Sequence, residues 1–166
     1  MNISDVLSVD RILFRVRGTT KAEIIDKLTS LLANDHRVRD HEKIREAVHG
    51  RERIMSTAVG NGFAIPHAKT DWVSGIVMAC GLLDTPIDFD SLDSSPVDLV
   101  FLIVSNENHV SSYVQLISRI ATIMNKDGLH AKLAGAKSAK EMYDLLCREE
   151  KRYEQCNCTL TVRGVS

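Results

Sequence analysis

The chain has 166 residues, 44% of them hydrophobic and 26% charged, with a formal net charge of −1. That length suits a single domain with a core of its own, and the near-neutral balance argues against a nucleic-acid or membrane-surface partner. The uncharged run near Trp72–Leu83 is too short to cross a bilayer of about 30 Å as a helix, and Met1–Phe14 carries Asp5, Asp10 and Arg11 in place of a signal-peptide core, so a cytoplasmic location is expected.

Ile12, Phe14 and Val16 alternate with Leu13, Arg15 and Arg17, which predicts a half-buried strand ending near Gly18. Thr20-x-x-Glu23 is a capping-box pattern, and Ile24, Ile25, Leu28, Leu31 and Leu32 behind it fall on one helical face. Asp40 is placed to cap a second helix that buries Ile44, Ala47 and Val48 and ends near Gly50. A short segment of small and apolar residues follows, Ile54 to Val59, and then a glycine turn. Ile76–Cys80 and Leu99–Val104 are continuous apolar runs that read as central strands buried on both faces. Between them Asp84–Pro96, rich in Asp, Ser and Pro, reads as a loop with room for a small edge segment.

From about Asn108 a long helix is signalled by Val110, Tyr113, Val114, Ile117, Ile120, Ala121 and Met124 at steps of three and four. Lys126-Asp127-Gly128 breaks it, a short helix covers Leu129–Ala134, and Ser138-x-x-Glu141 opens a last helix burying Met142, Leu145 and Leu146. Residues 148–166 form a charged tail, either a frayed end or an added edge strand. Interleaved strands and helices without a repeat or linker predict one α/β domain, a mixed β-sheet flanked by helices, over residues 1–147. Of the four cysteines, Cys80, Cys147, Cys156 and Cys158, none is expected to be bridged in a reducing compartment. Cys156-x-Cys158 lacks a second ligand pair and does not read as a zinc site.

The most informative segment is Gly60-Asn61-Gly62-Phe63-Ala64-Ile65-Pro66-His67. Glycines admit positive φ and a close approach by another backbone or a phosphate, while proline fixes its own φ and holds the residue before it extended. An imidazole presented on such a loop, with an ordinary pKa near about 6.5, is a competent neutral nucleophile. His36, His41, His49 and His130 have no such setting and are assigned to solvated surface. The loop lacks the lysine of a P-loop and the spacing of a dinucleotide fingerprint.

The stretch Arg51-Glu52-Arg53-Ile54-Met55-Ser56-Thr57 through Ala64-Ile65-Pro66-His67-Ala68-Lys69 closely resembles the active-site region of enzyme IIA domains of the fructose/mannitol/nitrogen-regulatory class, in the bacterial phosphoenolpyruvate-dependent phosphotransferase system. Pro86-Ile87-Asp88-Phe89-Asp90, Asp93 and Pro96–Leu99 extend the resemblance, which covers roughly residues 3–147. It implies that His67 accepts a phosphoryl group through Nε2 from the phosphorylated histidine-containing carrier protein. It then implies transfer to a cysteine of a IIB domain, or use of the phosphorylation state to regulate a target. No cofactor and no metal are implied, since protein cations and hydrogen-bond donors can stabilise the equatorial oxygens.

By the same resemblance Arg51 is the active-site arginine, with Arg53 as its substitute, and His109 matches a second histidine at the start of the long helix. The family continues that histidine as His-Leu-x-Leu-Leu, where this chain has His109-Val110-Ser111-Ser112-Tyr113. Ser56 is a weaker candidate for a hydrogen bond to the phosphoryl group, and Glu52 reads as a partner for Arg51 or Arg53. Phe63, Ile65 and Trp72 are candidates for an apolar docking surface around His67. The rival reading is a IIA-like binding module that performs no phosphotransfer.

Overall fold

In the computed structural model, which describes residues 1–126 and 128–163 and side chains as far as Gln155, the two continuous apolar runs become neighbouring antiparallel strands, β5 (Ile76–Ile87) and β6 (Val97–Ser105). β1 (Ile12–Val16) adds to β5 in parallel. On the far side of β6 lies β3 (Phe63–Ala64), itself paired antiparallel with β2 (Ala58–Gly60). β4 (His67–Lys69) also pairs with β6 in parallel, further along the same edge. The sheet is therefore mixed and six-stranded, and with helices on both faces it is the α/β domain expected.

Period-2 alternation along β5 and β6 sorts their side chains into two cores. Met78, Leu99, Phe101 and Ile103 face a layer built from α1 (Ile3–Val6), α4 (Val110–Met124), α5 (Leu129–Ala134) and α6 (Ala139–Arg163). Val77, Ala79, Val100 and Leu102 face α2 (Lys21–Ser30) and α3 (His41–Ile54). Each Val, Leu, Ile, Phe or Met among them, wholly removed from water, contributes about 1.5–3 kcal/mol. The caps foreseen are in place: Thr20 Oγ1 accepts from the Glu23 amide, Asp40 from the Lys43 amide, and Ser138 Oγ from the Glu141 amide.

Several boundaries differ from expectation. α3 does not stop near Gly50 but runs through it to Ile54. A mid-helix glycine costs only about 1 kcal/mol, and burial of Glu52 against Thr57 and Lys21 holds the extra turn. Asp84–Ile87 continues β5 rather than beginning a loop. Residues 148–155, expected as a tail, continue α6 and pack on the domain: Glu150 accepts the Ile3 amide and pairs with Arg119 at 3.0 Å. The backbone stays helical to Arg163, neither frayed nor an edge strand; the side chains of Cys156 and Cys158 lie outside the described residues. Cys80 and Cys147 are free thiols.

Candidate functional site

Ile65 and Pro66 separate β3 from β4, so the chain leaves the edge of β6 and rejoins it at His67. The Ile103 amide donates to the Pro66 carbonyl at 3.0 Å, and the Ile65 amide turns away to Thr57. Proline has no amide hydrogen to offer a ladder, so the interruption falls where the sequence removes a donor. It places His67 as the first residue of β4, half-buried and facing a cleft of about 400 Å³.

The Nδ1 atom of His67 lies 2.7 Å from the Ile65 carbonyl oxygen. A carbonyl only accepts, so Nδ1 carries the proton and Nε2 carries the lone pair. Burial pushes the imidazole below its ordinary pKa; the Ile65 carbonyl pulls the other way, and the positive charge of Arg51 adds to the lowering. His67 is thus a neutral imidazole with its nucleophilic nitrogen unencumbered.

Arg51 reaches the same cleft because α3 extends past Gly50. Ala47, Arg51 and Ile54, at steps of four and three, form the helix face that lines it. One guanidinium donor of Arg51 caps the helix on the Met55 carbonyl at 3.0 Å, where a cation also suits the dipole. The remaining donors of its planar fork are available for an anion. From the opposite wall come Lys69 and Glu107, an ion pair at 3.4 Å, and Tyr113 of α4. The Tyr113 ring stands edge-on to the imidazole, centroids 6.0 Å apart and planes at 68°.

Not every candidate residue joins this cleft. Ser56 lines a separate cavity of about 500 Å³ with Lys21, Glu52, Arg53 and Asp90, on the other face of α3. Its hydroxyl is committed, donating to the Phe89 carbonyl at 2.6 Å and accepting the Ala58 amide. Arg53 is on that side too, so Arg51 alone of the arginine pair faces His67. Glu52 binds Lys21 and Thr57 rather than either arginine. His109 is the N-cap of α4, its Nδ1 held 2.6 Å from Asn106 Oδ1, and it does not line the cleft. The signal that picks out Tyr113 was present in the sequence: Tyr113-Val114-Gln115-Leu116-Ile117 carries the apolar spacing of His-Leu-x-Leu-Leu, with tyrosine in the histidine place.

The glycine turn also has another purpose than expected. Gly60 and Gly62 do take positive φ, 96° and 83°, but they form the β2–β3 hairpin at the far end of β3. A side chain on Gly62 would begin 2.6 Å from the His130 ring, and one on Gly60 2.9 Å from Asp93 Oδ2. His130, expected to be solvated without a partner, pairs with Asp98 at 2.6 Å. His49, within α3 rather than at its end, pairs with Asp26 at 2.7 Å. Phe63 and Ile65 are core residues; Trp72 is exposed, and the apolar residue that opens onto the cleft is Ile54, 81% exposed.

Residues 5–149 match the family described as the phosphoenolpyruvate-dependent sugar phosphotransferase system, EIIA 2. The chain belongs to that family. Among relatives, a nitrogen regulatory protein from Pseudomonas aeruginosa is 30% identical over 88% of this chain and 95% of its own length. The fructose-specific EIIABC component of Bacillus subtilis is also 30% identical over 91% of this chain, but this chain spans only 24% of that protein. The crystal structure of nitrogen regulatory protein IIA-Ntr from Neisseria meningitidis superposes with a TM-score of 0.82 at 26% identity, covering 87% of this chain and 98% of that one. IIA mannitol from Escherichia coli shares the EIIA fold at a TM-score of 0.73 and 22% identity, over 84% and 98% of the two chains. Among the described residues, no helix is long and apolar enough to cross a membrane, and no group of three or more His, Cys, Asp or Glu side chains is placed to hold a metal ion.

Proposed function

We propose that this EIIA 2 chain is a cytoplasmic phosphoryl carrier with His67 as its acceptor, its carrier unit including the part of α6 that Glu150 ties to Ile3 and Arg119. The observation that carries the reading is the Nδ1–H···O=C bond to Ile65, which leaves Nε2 free and facing a cleft that holds an arginine. The Nε2 lone pair attacks phosphorus of the phosphorylated histidine-containing carrier protein. The N–P bond to the donor imidazole breaks, and its electron pair returns to the donor nitrogen. Arg51 supplies charge-assisted hydrogen bonds to the phosphoryl oxygens, each worth about 1.5–3 kcal/mol. The Ile65 carbonyl keeps the Nδ1 proton throughout, stabilising the positive charge the ring gains when Nε2 is phosphorylated.

The phosphoryl group then passes to a IIB domain, or its presence sets the binding of a regulatory target. A complex of mannitol IIA with phosphorylated IIB from Escherichia coli, a protein sharing this fold, supports the first route. The nitrogen regulatory relatives support the second. Phosphoenolpyruvate with the two upstream proteins is expected to label wild type and not His67→Ala. Label on that variant, or no label on wild type despite stable partner binding, would overturn the reading; the second outcome would favour a binding module without phosphotransfer.

A further inference from the structure

Tyr113 is 5% exposed, and it lines the same cleft as His67 and Arg51. Its hydroxyl makes no hydrogen bond to protein among the described residues. Among the described residues no buried side-chain nitrogen or oxygen lacks a partner, so the small part of Tyr113 that meets solvent includes that hydroxyl. Its ring meanwhile braces the imidazole edge-on. A tyrosine whose body is packed and whose one polar atom opens on a cleft beside a nucleophile is a donor awaiting an acceptor.

We propose that the Tyr113 hydroxyl donates a hydrogen bond to an oxygen of the phosphoryl group on His67 Nε2, opposite Arg51, while its ring fixes the imidazole plane. The assignment rests on His67 being the phosphoryl acceptor. Tyr113 keeps its proton through the transfer, because burial pushes the phenol up to about 12. It therefore acts as a neutral donor and takes no part in the bond exchange, in which N–P forms at His67 as the donor's bond to phosphorus breaks. Arg51 is a charge on one wall and Tyr113 a dipole on the other. Together they supply oriented donors at more than one equatorial oxygen, which a phosphoryl transition state needs.

The test uses potassium phosphoramidate, a small chemical phosphoryl donor, beside the phosphorylated carrier protein. With either donor, Tyr113→Phe is expected to label His67 about tenfold more slowly than wild type, the loss of one hydrogen bond to a charged group. The His67 ring titration, followed by NMR, is expected to be unchanged in Tyr113→Phe and shifted upward in Tyr113→Ala, where the covering ring is gone. A wild-type labelling rate in Tyr113→Phe overturns the proposal. So does a slow rate accompanied by the same titration shift as Tyr113→Ala, since the role is then packing alone. Should wild type be labelled by phosphoramidate but not by the carrier protein, the carrier reading fails while the phenylalanine comparison still decides the hydroxyl's part. No label from either donor overturns the hydroxyl contact as well.

Discussion

The run from Gly62 to His67 lies along one edge of β6, with the His130 ring of α5 against its start and His67 at its end, and the two histidines are held in opposite ways. At the Gly62 end the His130 ring lies against the turn, and its Nε2 is bound to Asp98, a residue whose amide donates to the Gly62 carbonyl at 3.0 Å. At the other end Nδ1 of His67 donates to a backbone carbonyl, and Nε2 has no hydrogen-bond partner among the described residues. The carboxylate beside His130 holds its pKa above the ordinary value, whereas burial holds that of His67 below it. The partner's charge sets the direction of each shift, a carboxylate favouring the protonated ring at His130 and a neutral carbonyl failing to offset burial at His67. Burial is shared by both.

The comparison breaks most sharply at the His67 end. Arg51→Ala is expected to slow phosphoryl labelling about 10–100-fold, with the His67 titration shifted upward as the neighbouring positive charge is lost. A loss within twofold would remove Arg51 from the site. At the Gly62 end, Gly62→Ala forces a side chain into positive φ and into the His130 ring. It is expected to cost about 1–3 kcal/mol in urea unfolding while His67 still takes label. A variant that unfolds like wild type would mean that the His130 ring swings aside freely.

The smallest effect is the pH dependence. A folded-state pKa raised at His130 gives stability that is full below about 6.5 and is lost as pH rises through the folded value. For His67 the sign reverses: the lowered pKa leaves stability full above about 6.5, and it is lost as pH falls through the folded value. NMR titration of the two ring signals is expected to place them on opposite sides of that pH. His130→Ala should flatten the alkaline slope of the stability curve alone.

Much of this arrangement was legible along the chain, for local reasons. The apolar runs of β5 and β6, the Thr20, Asp40 and Ser138 caps and the stripe of α4 depend on neighbours a few residues apart. So did the Pro66-His67 pair, because its effect on the backbone is local. What was not legible depends on partners far away in sequence. Gly60 and Gly62 announce positive φ, but not that Asp93 and His130 occupy the space a phosphate had been expected to approach. Gly50 resembles a helix end until Lys21, from another helix, is seen to pair with the buried Glu52 of the following turn. His109 and Tyr113 are four residues apart at the entry to one helix. Only the turn of Glu107–His109 before α4, which ties His109 to Asn106, decides which of them meets the cleft. The last helix beyond Cys147 was unreadable because Glu150 is buried by Arg119 and the amide of Ile3.

The bond from Nδ1 of His67 to the carbonyl two residues before it has no second side chain in it. In many enzymes the tautomer of a reactive histidine is held by a carboxylate elsewhere in the fold, and a single mutation can release it. Here the orienting group is the peptide carbonyl between Ile65 and Pro66, and that carbonyl survives every side-chain replacement. Choice of the reacting nitrogen is thus robust to point mutation and open only to changes in backbone path, with Pro66 the position where such a change would begin.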